Sequence, residues 1–153
     1  MVLLAPAVGG CNCGKLRYSI TKEPLTVYIC HCHQCQKRTG SAFSLSLVMP
    51  ADGFHIDEGQ PSRSERVLPD GQKNISISCG ECHSRLYTQH TQRNNSATLN
   101  LRAGTLDDTH HVRPVAQMWT SSAQTWAVQH DIISHSEQPT DYTPWLDAWR
   151  ARE

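Results

Sequence analysis

Short alternations of apolar and polar residues recur along the chain, separated by turn formers. Over residues 15–21, Leu16, Tyr18 and Ile20 fall on one side and Arg17 and Ser19 on the other, the period of a half-buried strand. Glu23-Pro24 breaks that run, and residues 25–29, β-branched and aromatic, predict a second strand that delivers Cys30 at its end. Residues 42–49 alternate again, with Phe43, Leu45 and Leu47 on one face, and 50–53 predict a turn before a short strand over 54–57. Residues 63–68 and 73–78 flank Pro69-Asp70-Gly71, a hairpin signal. Further strands are expected over 85–90, 97–102 and 115–119, with Leu99 and Leu101 inward. Residues 33–38 predict one helical turn closed by Thr39-Gly40. Residues 5–10 and 91–96 read as loops, 120–125 as a loop or short helix, and about 134–153 as a tail packed by Trp145 and Trp149. Without repeats or linkers, the pattern predicts one mostly-β domain over 1–153, its core spanning about 10–126.

Composition narrows the uses of such a domain. The 153 residues carry 14 Lys+Arg against 14 Asp+Glu, a formal net charge of zero. No basic block is present, which argues against general nucleic-acid binding. No apolar run approaches a membrane span, and the first six residues are too short for a signal sequence. The expectation is a soluble, cytoplasmic protein with no membrane partner.

The seven cysteines change the picture most. They are odd in number and partly paired as Cys-x-Cys, poor spacing for a disulfide, so metal binding is the better reading. Cys11, Cys13, Cys79 and Cys82 make a full set of four for a closed structural zinc, stapling the N-terminal segment to the central hairpin. Gly14 can supply the left-handed residue that the first turn needs. Cys30, Cys32 and Cys35 make an incomplete set. Either the fourth position takes water or substrate, as in catalytic zinc, or a histidine (His31, His33 or a remote one) closes it. Shuffled pairing between the two groups is a third arrangement.

Three thiolates on Zn²⁺ leave a formal charge of −1, and so soft a site suits a soft fourth ligand such as a substrate thiol. Thiol addition to an aldehyde, or its reverse, is the natural chemistry. Lys37, Arg38, Thr39 and Ser41 would offset the charge or hold a carboxylate, or form a solvated polar turn. His31 and His33 read as proton carriers, ligand-supporting donors or surface residues. Trp119 and Trp126 read as cleft lining or core, and Asp107-Asp108 as a turn.

Together these residues resemble a known family. Gly10-Cys11-Asn12-Cys13-Gly14, Tyr18, Cys30-His31-Cys32-His33-Gln34-Cys35 with Thr39-Gly40-Ser41-Ala42-Phe43, and Cys79-x-x-Cys82 are similar to the GFA family, the glutathione-dependent formaldehyde-activating enzymes, which includes centromere protein V. The segments 103–108 and 113–115, with Trp119, extend the resemblance to about Trp126. It implies a zinc-stabilised β-tent of small antiparallel sheets, with a structural zinc on Cys11, Cys13, Cys79 and Cys82 and a catalytic zinc on Cys30, Cys32 and Cys35. It also implies a carbon–sulfur lyase that joins a thiol such as glutathione to a small aldehyde such as formaldehyde. Two positions depart from the family pattern: His83 stands where glycine is usual, and Ser78 where an aromatic is expected. A non-catalytic zinc-stabilised binding module is the alternative use of the same frame, and nucleic-acid or cytoskeletal binding a third.

Overall fold

The computed structural model describes residues 3–91 and 96–152. Among them the strands are β1 (Ala7–Gly10), β2 (Arg17–Ile20), β3 (Thr26–Cys30), β4 (Ser44–Pro50), β5 (Phe54–Glu58), β6 (Pro61–Val67), β7 (Lys73–Cys79), β8 (Arg85–His90), β9 (Thr98–Arg102), β10 (Ala116–Met118) and β11 (Ile133–Ser134). The helices are α1 (His33–Thr39) and α2 (Thr143–Arg150). The mostly-β expectation is met. Segment 5–10, expected as loop, contains β1; its two glycines conceal a strand. The tail is more ordered than expected: α2 buries Trp145 and Trp149, one turn apart on one side. Most of the loop expected over 91–96 lies outside the described residues.

The strands form a three-stranded antiparallel sheet, β1-β2-β5, and an eight-stranded sheet ordered β11-β10-β3-β4-β9-β8-β7-β6. Leu16, Tyr18, Ile20 and Phe54 on the small sheet bury against Leu47, Met49, Leu99 and Leu101 of the large one. Apart from Met49 and Phe54, these are side chains whose alternation marked the strands, and the removal of all of them from water drives the sheets together.

The other face of the large sheet is polar. In register across it lie Ser44 opposite Cys30, Ser46 opposite Arg102, and Thr88 opposite Asn100. Ser44, Ser46 and Thr88 are buried. β4 is therefore covered on both faces, and its alternation marks polarity rather than exposure. At one end of this face Tyr28, Cys30, Ala116, Met118 and Trp145 form a second apolar cluster, with Cys32, Cys35 and Trp119 packed against it. β10 runs parallel to β3 and brings Met118 opposite Cys30. No described helix is long and apolar enough to cross a membrane.

Candidate metal centres and the pocket beside them

The seven cysteines gather into the two groups anticipated. Cys11, Cys13, Cys79 and Cys82 place their sulfurs within 4.8 Å of one another, as do Cys30, Cys32 and Cys35. Zn–S bonds of about 2.3 Å in a tetrahedron require sulfurs about 3.8 Å apart. Cys11 and Cys13 are 3.4 Å apart, and Cys13 and Cys79 3.9 Å. The four-cysteine group therefore fits the ion.

Two turns build that group. The Gly14 N–H donates to the Cys11 carbonyl at 3.1 Å, and the Leu16 N–H to the Cys11 sulfur at 3.3 Å. Gly14 is left-handed, at φ 78°. In the second turn the His83 N–H donates to the Cys79 carbonyl at 3.1 Å and the Glu81 N–H to the Cys79 sulfur at 3.4 Å. His83 takes φ 60°, so the turn keeps the conformation that glycine would favour. Ser84 joins the turns, accepting from the Asn12 N–H at 3.0 Å and lying 3.1 Å from the Cys82 sulfur. Hydrogen bonding from Ser84 is the chief reason the Cys82 thiol is lowered to about 5, which favours the thiolate a metal needs.

The trio sits where β3 passes into α1. Cys30 ends the strand, Cys32 caps the helix and accepts from the Cys35 N–H at 3.4 Å, and Cys35 lies in the first turn. Gly40 closes α1 at φ 66°, as expected, although the helix is longer than the one turn predicted. Gln36 ties α1 down, donating to the carbonyls of His31 at 2.8 Å and Ser122 at 2.9 Å. Hydrogen bonds from Cys30, then Cys32, hold the Cys35 thiol down at about 2, helped by Ser44 and the charge of Arg102. Hydrogen bonding with Cys32 and Cys35, and then burial, push the Cys30 thiol up.

Among the described residues no histidine or carboxylate joins the trio. His31 is fully buried and turns elsewhere: its Nε2 lies 2.9 Å from Gln117 Oε1. Gln117 uses its own amide N–H on Gln129 O and on Ser134 Oγ, so Oε1 is the acceptor and His31 Nε2 carries the proton. His33 is exposed. The polar residues after the trio divide. Arg38 and Thr39 line a cavity of about 300 Å³ beside the cysteines, whereas Lys37 and Ser41 line a separate surface groove with Trp126. Trp126 is 76% exposed, so the core reading fails for it; Trp119 packs against the trio's cluster. Asp107 pairs with Arg17, and Asp108 accepts from the His110 N–H, as a turn requires.

Sequence reasoning missed Ser44, Arg85 and Arg102, which also line the cavity. Arg102 could have been noticed as the polar partner of Leu99 and Leu101 in an alternating strand. Arg85 could not. Ser76 pairs with Thr88 and Ile77 with Tyr87, but Ser78 pairs with Arg85, so Leu86 is an extra residue in β8. This bulge sets Arg85 opposite Ser78 instead of Leu86.

A four-cysteine group and a three-cysteine group, held by a two-sheet β fold, define a class of cysteine-rich proteins whose clustered sulfurs could hold metal ions. Within that class the chain belongs to the glutathione-dependent formaldehyde-activating enzyme family, whose model matches residues 6–122. Among solved structures it is similar to a crystal structure of a Rhodobacter sphaeroides protein, with a TM-score of 0.51 at 14% identity, covering 84% of this chain and 98% of that one. That likeness concerns the fold. None of the curated proteins compared matches the chain.

Proposed function

We propose that the protein is a zinc-dependent carbon–sulfur lyase that adds a thiol such as glutathione to a small aldehyde such as formaldehyde, and catalyses the reverse. The observation that carries this reading is the trio of Cys30, Cys32 and Cys35, with no histidine or carboxylate joining it among the described residues. Membership of the family supports it. Cys30, Cys32 and Cys35 would hold one zinc, and Cys11, Cys13, Cys79 and Cys82 a second, structural one. Zinc at the trio would supply a Lewis acid that favours the thiolate form of an incoming thiol.

The reaction balances without oxidant or reductant. The thiol sulfur bonds to the aldehyde carbon, the C=O π pair moves to oxygen, and oxygen takes the proton that the thiol lost. The chain's part is to orient and shield. Trp119, Tyr28 and Met118 wall the trio with apolar surface, and Gln36 fixes α1 against the 119–122 turn. His31, hydrogen-bonded to Gln117, holds that frame.

The test is calorimetric titration with glutathione, beside metal content and melting temperature, for wild type, Cys35→Ala and Cys82→Ala. Wild type should bind the thiol and carry two zinc ions. Cys35→Ala should lose binding and one zinc while staying folded; Cys82→Ala should lose the fold first. A wild type that binds no thiol at millimolar concentration would favour the non-catalytic binding module.

A further inference from the structure

The cavity beside the trio has an unusual charge. Arg38 comes from α1, Arg85 from the bulge of β8, and Arg102 from the end of β9, and all three line it. The chain as a whole is balanced, yet no ion pair among the described residues includes any of the three. Arg102 is braced, donating to Ser46 Oγ at 2.5 Å and Thr88 Oγ1 at 3.3 Å. Its Nε is nevertheless buried without a partner, as is Arg85 Nη1. Burial, and then the charges of Arg38 and Arg102, push the Arg85 guanidinium below its usual value. Half-buried cations with unmet donors cost free energy, and a bound anion removes the cost.

The cavity adjoins the thiols. Ser44, on its wall, lies opposite Cys30 in the sheet, and Thr39, also on its wall, donates to the Cys35 carbonyl at 2.8 Å. Resting on the thiol-addition reading, we propose that Arg38, Arg85 and Arg102 form a carboxylate-binding site that selects anionic thiols over neutral ones. A metal trithiolate brings one net negative charge against three guanidiniums, which leaves room for carboxylate. The volume, about 300 Å³, is at the small end of ligand pockets and suits the acidic end of a peptide thiol better than the whole molecule. The groove of Lys37 and Ser41 offers one cation and no such focus.

Three ligands separate the contributions: glutathione, S-methylglutathione (carboxylates without the free thiol) and 2-mercaptoethanol (thiol without carboxylates). Each is titrated calorimetrically into wild type, Arg38→Gln and Arg85→Gln, with melting temperature as the folding control. Arg38 lies on the surface helix, so its variant stays informative if Arg85→Gln fails to fold. Each variant should weaken both glutathione forms by about tenfold or more, the loss of a charge-assisted hydrogen bond, and leave 2-mercaptoethanol unchanged. Folded variants that bind both glutathione forms as wild type does would overturn the arginine site. Wild type that binds S-methylglutathione as tightly as glutathione, and no 2-mercaptoethanol, would keep the arginine site and sink the thiol-addition reading. Wild type that binds none of the three would remove both.

Discussion

His83 shows how one residue can depart from a family pattern without breaking the site. Its backbone holds φ 60°, and its N–H still donates to the Cys79 carbonyl. A residue with a Cβ pays about 1–2 kcal/mol in that region, and glycine's extra freedom in the unfolded chain returns part of it. The exposed imidazole does not join the four-cysteine group, so His83→Gly should raise stability by about 0.5–1 kcal/mol with metal content unchanged. Urea unfolding beside metal analysis checks this; a loss of stability would mean that the side chain supports the turn. The cysteine groups were legible from spacing because a metal needs its donors near one another whatever the surrounding fold. Arg85 was not legible, because its position depends on an extra residue that only strand pairing exposes.

At the scale of elements, the strands declared by alternation formed. Leu16, Tyr18 and Ile20 did bury, and the Pro69-Asp70-Gly71 hairpin did close. The harder elements were β1, masked by Gly9-Gly10, and the two-residue β11; β10 formed where a strand was expected, but its parallel pairing with β3, far away in sequence, left no local signal. Helix α2 leaves one trace in the sequence, Trp145 and Trp149 four residues apart, too little to separate a helix from aromatic packing. They enter different clusters, Trp145 beside Tyr28 and Trp149 in the main core. Arg152 stacks on Trp149 at 3.3 Å and pairs with Glu23 at 2.8 Å. Trp149→Ala should therefore cost about 3–5 kcal/mol while metal content stays that of wild type. Chemical denaturation of the variant gives the number, and a cost below about 1 kcal/mol would show that α2 is dispensable to the core.

On the scale of the whole molecule, the four-cysteine group spans the two sheets, and a metal held there would bond them together. Cys11 and Cys13 follow β1 of the small sheet, and Cys79 ends β7 of the large one. A closed site of this kind contributes its binding free energy to folding. A strong chelator should lower the melting temperature and loosen the small sheet first. Amide exchange would show that as faster exchange in β1 and β2 than in β4 and β9. Equal protection with and without metal would make the staple redundant.

The parallel pairing of β3 with β10 also sets an order of events during synthesis. The His31 N–H donates to the Met118 carbonyl, and 86 residues separate His31 from its side-chain partner Gln117. At about 5–20 residues per second, roughly 4–17 s pass between the emergence of the two. Through that interval Cys30, Cys32 and Cys35 leave the ribosome as neighbouring thiols with no wall of β10 and no Trp119 beside them. A nascent chain halted before residue 116 thus presents a triplet of sulfurs open to oxidant or to metal, so translation speed and the redox state around the ribosome bear on the yield of competent protein.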